Sequence, residues 1–260
     1  MAKTVRYVNT ISGVNVRDAV RSLLQGTLMI YDTANAPVKK ALNGTTYTWI
    51  KVTYYYKGSN DQYLMATEAT GWVTQNNTTE VSTTIPDKSS IYSGNQSYKQ
   101  NERLVNARYI FDYLRSLSSS KRWSVNAICA TLGNMEAESG ITPGKWEVLN
   151  DTSRGFGLVQ WTPASNFINA LGTSESKTDI DVQLKRIQAE VDGTYTQWTS
   201  SSHSPAMTFS EYTKSTKTVA TLAEYFLRCY ERPEITTGMV SERKRCAEKW
   251  YNILSAVGDI

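Results

Sequence analysis

The chain has 260 residues, 40% hydrophobic and 20% charged, a globular composition with room for one large domain or two ordinary ones. No apolar run approaches the ~18 residues that a membrane-spanning helix needs, which excludes membrane insertion as an expectation. The net charge of +4 comes without a Lys/Arg-rich run, so nucleic acid is not an expected partner.

The segment from Met1 to Tyr7 alternates like a strand and has no apolar h-region, so no secretory signal is expected. Through residue 79 the pattern stays β. Short runs rich in Val, Ile, Thr, Tyr and Trp are separated by turn residues, without helix-length apolar stripes. Val14-Asn15-Val16 alternates, and Gly26 precedes Thr27-Leu28-Met29-Ile30-Tyr31. Asn43-Gly44 is a hairpin turn signal ahead of Tyr47-Thr48-Trp49-Ile50-Lys51-Val52. Gly71-Trp72-Val73 reads as a last short strand. So many short strands in so few residues favour a closed or nearly closed barrel.

Residues 80–101 are rich in Ser, Thr, Asn and Gln, with Pro86 and Gly94, which is a linker composition. From residue 102 the period becomes helical. Leu104, Ala107, Phe111, Leu114 and Leu117 form a stripe of spacing three and four. Ser124 is placed to cap a helix through Met135, and Asp179 one that carries Ile180, Leu184, Ile187 and Val191. Val219, Leu222, Phe226 and Cys229 make another stripe, stopped by Pro233, and a last helix is expected from about Ser241. Between the second and third helices, Ile141 to Thr162 is non-helical and glycine-rich, which predicts a small β-hairpin lobe. The expected fold is therefore multidomain: an all-β barrel at residues 1–79, a linker at 80–101, and a mostly helical α+β domain at 102–260.

Cys129, Cys229 and Cys246 have no metal-ligand spacing, and His203 is the one histidine, so neither a metal nor a cofactor is expected. The cysteines read as buried free thiols, with a Cys229–Cys246 or Cys129–Cys229 disulfide as the alternative. No cysteine or serine can be assigned to His203, which argues against a His-dependent nucleophile. The stretch Gly133-Asn134-Met135-Glu136-Ala137-Glu138-Ser139-Gly140 instead offers two glutamates at the end of an apolar helix. A carboxyl at the edge of an apolar core gains the raised pKa that acid catalysis requires. Two residues apart, the glutamates project about 200° apart, so only one can face a given cleft. The helical wheel does not choose between them, although Glu136 lies nearer the centre of the Val125/Leu132/Met135 stripe.

Glu138-Ser139-Gly140, followed by Gly155-Phe156-Gly157-Leu158-Val159-Gln160-Trp161-Thr162, resembles the catalytic segment of phage tail lysozymes. It is also similar to the goose-type lysozyme and lytic transglycosylase group. Asp181-Val182-Gln183-Leu184, Gln197-Trp198 and Phe226 with Tyr230-Glu231-Arg232-Pro233 extend the resemblance over nearly all of 102–260. The resemblance implies a lysozyme-like peptidoglycan hydrolase that cuts the β-1,4 bond between N-acetylmuramic acid and N-acetylglucosamine, with inversion. The rivals are a lytic transglycosylase and a catalytically inactive wall-binding phage module. It makes Glu138 the general acid and leaves Glu136 structural. Asp151, thirteen residues on, matches a catalytic-site aspartate of goose-type lysozymes, and Glu147 competes with it as the second carboxylate. Thr162 stands where that group has a further aspartate.

Gln160 matches a sugar-binding position, with Gly157 and Ser139 beside the cleft. Phe156 and Trp161 either line the cleft or fill the core. Glu231 and Arg232 either form a structural ion pair or approach the cleft, and the structural reading is favoured. The implied partner is bacterial peptidoglycan, reached by a protein made in the host cytoplasm or carried on a virion.

Val14-Asn15-Val16-Arg17, Gly26, Trp49-Ile50-Lys51-Val52 and Gly71-Trp72-Val73 resemble bacterial SH3-type wall-binding domains. The usual Gly-Pro after the arginine is replaced by Asp18-Ala19-Val20, so ligand specificity is not carried over. Tyr54, Tyr56 and Tyr63 are the expected wall-binding face, although alternation should turn half of this aromatic run inward. Trp49 and Trp72 read as core.

Overall fold

The computed structural model describes residues 3–17, 21–57, 66–200 and 206–260; Tyr63, His203 and Asp18-Ala19-Val20 lie outside the described residues. The chain divides into two compact units. One comprises Met1–Ile85, Lys99–Leu104 and Asn252–Ile260, the other Pro86–Tyr98 and Val105–Tyr251.

The first unit is sheet-rich, with strands β1 (Lys3–Val8), β2 (Val14–Val16), β3 (Arg21–Leu23), β4 (Leu28–Asp32), β5 (Val38–Leu42), β6 (Thr45–Tyr56), β7 (Thr67–Thr74) and β8 (Thr78–Glu80). Asn43 and Gly44 both have positive φ, 48° and 78°, the mirror-image turn whose twist suits a two-residue hairpin. It sets the β5–β6 register at Leu42 opposite Thr45. All pairing is antiparallel, in the order β5-β6-β4-β1-β8 with β7 on β6, while β2 and β3 form a separate ribbon.

Strand β6 is the organiser. One edge pairs with β7 over Trp49–Tyr56, and the other is divided between β5, over Thr45–Trp49, and β4, over Val52–Tyr54. Of the expected closed or nearly closed barrel, the described residues show no closed sheet. The hydrogen-bonded path ends at β5 and at β8, neither of which pairs back. Val8, Val14, Val16, Leu23, Met29, Ile50, Val52, Tyr54 and Val73 make the core of this unit. The expectation that Tyr54 lies on an aromatic binding face is thereby corrected: its side of β6 is the one that carries Ile50 and Val52, and it is 1% exposed. Tyr56 is half-buried, with the Arg21 guanidinium over its ring. Trp49 is buried, whereas Trp72, expected in the core, is only half-buried.

The second unit is helical. The helices of the chain are α1 (Gln100–Ser116), α2 (Val125–Ser139), α3 (Ser165–Ile168), α4 (Ile180–Val191), α5 (Phe209–Lys214), α6 (Val219–Phe226) and α7 (Thr237–Val257). Ser124 caps α2 by accepting from Ala127 N–H, and Asp179 caps α4 by accepting from Asp181 N–H. Helix α2 runs four residues past Met135, to Ser139, and ends at Gly140, whose φ of 65° lets its N–H reach Glu136 O. Nearly every α2 side chain from Ala127 to Glu136 is buried, as expected of a helix packed on all sides. At Gly133 an added Cβ would lie 2.5 Å from Ala247 N of α7, so the glycine permits the close crossing of these helices.

Helix α7 begins four residues earlier than Ser241. Thr236 accepts from Met239 N–H through its hydroxyl and from Val240 N–H through its carbonyl, a cap that Gly238 obscures in the sequence. The three cysteines are free and buried. The predicted β-hairpin lobe is instead a compact loop with isolated bridges only, Trp146–Phe156 and Phe156–Trp161. Asn150, Gly157 and Gln160 have φ of 61°, 85° and 50°, which break any run of extended backbone before a ladder can grow.

Candidate active site

Two glutamates two residues apart on α2 meet opposite fates. Glu136 is sealed inside: Lys249 Nζ donates to it at 2.6 Å and Trp250 Nε1 at 2.9 Å, both from α7. Glu138, on the other side of the helix, keeps 24% of its side chain exposed. It lines a cleft of about 490 Å³ together with Lys145, Trp146, Glu147, Gln160 and Glu231. That volume lies within the range usual for small-ligand sites.

The opposite wall is the 141–162 loop, held by polar side chains. Buried Gln183 of α4 accepts from Leu158 N–H at 2.8 Å and donates to Pro143 O and Lys177 O at 2.6 and 2.7 Å. The Ser139 hydroxyl donates to Leu158 O at 2.9 Å and accepts from Thr142 N–H, which ties the end of α2 to the loop. Gly157, at φ 85°, passes so close to Gln183 that a Cβ would lie 2.8 Å from its amide oxygen. Ser139 and Gly157 thus shape the wall instead of lining the cleft.

Gln160 does line it, with its amide nitrogen donating to Lys145 O and Gly157 O at 3.0 and 2.9 Å. Of the two readings open for Phe156 and Trp161, the structure takes the core one. Phe156 is buried at 4.5 Å from the Trp146 ring, and Trp161 stacks on Phe167 while donating to Glu190 at 2.9 Å. Trp146, not singled out from the sequence, is the aromatic residue at the cleft.

The two candidate second carboxylates are separated by the same loop. Glu147 is in the cleft lining, accepting from Gly155 N–H at 2.9 Å and from Arg154. Asp151 is not among the cleft-lining residues. Its carboxylate accepts from the Ser153 hydroxyl and backbone N–H in its own turn, bonds that hold its pKa below the ordinary value.

Behind Glu138 stands a buried pair that sequence reasoning assigned differently. Glu231 ends a π-helical turn, Leu227–Glu231, and is followed by Arg232 at φ 53°. Of the two readings for Glu231 and Arg232, the favoured ion pair does not form, since Arg232 donates to Thr199 Oγ1 at 2.7 Å, whereas both residues do line the cleft. Glu231 meets Arg243 of α7 instead, whose Nη2 lies 3.3 Å from its Oε2 and also donates to Glu138 Oε1. Burial first, then the charge of Glu138, pushes the Glu231 pKa well above the usual carboxylate range.

The phage tail lysozyme family model matches residues 105–254. The chain belongs to the phage tail lysozyme family. It is also 45% identical over 170 residues to morphogenesis protein 1 of Bacillus phage B103, an alignment covering 64% of this chain and 44% of that protein. The chain thus spans less than half the length of this relative. Within the lysozyme-like part, Glu138, Glu147, Gln160 and Glu231 all fall inside the matched residues. No described helix is long and apolar enough to cross a membrane.

Proposed function

We propose that the lysozyme-like part is a muralytic glycosidase that cuts the β-1,4 bond between N-acetylmuramic acid and N-acetylglucosamine in peptidoglycan. Glu138 protonates the departing glycosidic oxygen as general acid, and water completes the hydrolysis. The observation that carries this reading is the split between the two α2 glutamates: Glu136 is neutralised inside the fold, and Glu138 alone opens on the cleft. Gln160 can offer its amide oxygen to a sugar hydroxyl, its nitrogen being engaged by Lys145 O and Gly157 O, while Trp146, 6% exposed beneath the Lys177 ammonium, adds a nearly buried border to the cleft. Glu147 is the better placed of the two proposed second carboxylates, since it lines the cleft and Asp151 does not. The test is turbidity clearing of purified walls by Glu138→Gln. A loss of about 10²–10⁴-fold with folding intact is expected. Near-full activity would remove Glu138 from the mechanism, and an inert parent protein would leave a wall-binding structural module.

A lytic transglycosylase is the second reading. It needs only one acid, and Glu147 is already engaged by Arg154 and Gly155. Mass spectrometry of released muropeptides separates the two: products carrying added water support hydrolysis, and anhydro sugars support transglycosylation. The name of the relative, a morphogenesis protein of a phage, favours a virion-carried enzyme over a free endolysin. The sheet-rich unit is proposed as an SH3-type wall-binding module, with Trp72 as its aromatic contact beside Arg17, Lys40 and Trp49 around a hollow of about 160 Å³. Undiminished co-sedimentation of full-length Trp72→Ala with walls would dismiss that contact.

A further inference from the structure

We infer that Glu231 is a positioning residue for the acid: Glu138 and Glu231 hold one proton between them against the Arg243 guanidinium, and this keeps Glu138 able to donate. The inference rests on the proposed role of Glu138 and extends it to a second carboxyl, nearly buried beside it.

The argument begins with charge. Arg243 Nη2 reaches both carboxyls, donating to Glu138 Oε1 and lying 3.3 Å from Glu231 Oε2. The side chains of Arg243 and Glu231 are only 7% and 5% exposed. With both carboxyls ionised, the one guanidinium would face two negative charges, and that of Glu231 would be held away from water, which is costly. One retained proton makes it neutral. Glu231 Oε1 offers the place for it, being buried without a hydrogen-bond donor. The other titratable groups around the cluster are Tyr212 of α5 and Cys246 of α7, both held neutral by burial, and Lys145, Glu147 and Arg232, which line the cleft; exposed Arg232 donates to Thr199 Oγ1, away from Glu231.

The same arrangement answers a difficulty in the chemistry. A guanidinium on Glu138 alone would favour its ionised form and leave it a poor acid. A second carboxyl that competes for that guanidinium opposes this effect: Glu231, 3.3 Å from the same Nη2, adds a like charge beside Glu138 and weakens the hold of Arg243 on its ionised form. The proton Glu138 gives to the leaving oxygen is regained from solvent before the next turnover, so no other bond is made or broken in the cluster.

The experiment is a carboxyl titration of the full chain labelled with 13C at glutamate Cδ, with Glu231→Gln and Glu138→Gln used for assignment. One carboxyl of the pair is expected to stay protonated above the ordinary glutamate range. Two carboxyls titrating normally would overturn the inference without reference to activity. In wall clearing, Glu231→Gln should move the alkaline limb of the pH profile down by about one unit or more, since the competing charge is gone. Glu231→Asp should restore the limb in part. An unmoved limb with a uniform drop in rate would make Glu231 merely structural. If Glu231→Gln fails to fold, the parent titration and Glu231→Asp still decide. If Glu138→Gln stays fully active, the acid assignment falls, while the titration still reports on the shared proton.

Discussion

Lys249 Nζ donates to Glu136 Oε1 at 2.6 Å, and the two side chains are 1% and 0% exposed. This buried pair, reinforced by Trp250 Nε1, anchors α2 to α7 at the level where Glu138 emerges on the other side. Breaking one partner strands the other charge. Glu136→Gln or Lys249→Met should each cost about 3–5 kcal/mol, and the double replacement Glu136→Leu with Lys249→Met should cost much less. Urea denaturation of the three variants checks this; single losses below about 1 kcal/mol would deny the pair its anchoring role.

The α2–α7 crossing makes a second, steric prediction. A Cβ at position 133 would sit 2.5 Å from Ala247 N and 2.7 Å from its Cα, backbone atoms that cannot rotate away. Gly133→Ala should therefore destabilise by about 1–3 kcal/mol, although alanine is the better helix former. Thermal unfolding measures the sign directly, and a raised Tm would mean that the helices separate freely.

Stability should fall in acid partly through Glu224. Its hydrogen bond from Lys244 comes first, with Arg228 added, and together they set its pKa below the ordinary glutamate value. Below about pH 4.3, the unfolded value, the unfolded chain takes up the proton before the folded one, so the unfolded state binds more protons and stability drops. The contribution is complete above that pH and vanishes as pH falls through the depressed folded value. Glu224→Gln should flatten this limb of a stability–pH curve by up to about 1 kcal/mol, the size expected of half-buried ion pairs still screened by solvent. An unchanged limb would assign the acid sensitivity elsewhere.

The proposed second carboxylate can be chosen by paired substitutions. Glu147→Gln keeps an acceptor for Gly155 N–H but removes the cleft charge, and should slow wall clearing by about a hundredfold. Asp151→Asn retains a turn-forming side chain outside the cleft lining and should leave the rate within a few-fold. The opposite order would return the role to Asp151. Equal and small effects would favour the single-acid transglycosylase reading.

Features that depend on neighbours along the chain were readable before any coordinates. Ser124 and Asp179 cap because a side-chain oxygen reaches an N–H two or three residues on, and Asn43-Gly44 turns because both residues accept positive φ. Other local signals were overlooked, such as the capping box of Thr208 with Glu211 that starts α5. The β-hairpin lobe failed for a different reason. Glycines that mark turns also mark the places where backbone hydrogen bonds go to side chains, here to Gln183 and Glu147.

The sequence by itself determined where the period changes from two to 3.6, and that an apolar helix ends in two glutamates with a glycine-bounded loop to follow. Periodicity left open which glutamate is the exposed one, the family resemblance gave the acid role to Glu138, and tertiary structure supplied the physical reason for the exposure. A 200° separation around a helix fixes a relative direction but no absolute one, and only the packing of α7, through Lys249 and Trp250, supplied the reference. The same packing brought Arg243 to Glu138 across 105 positions of chain and set Glu231 behind them. No pattern along a sequence encodes that meeting, since it follows from how two helices pack on a third.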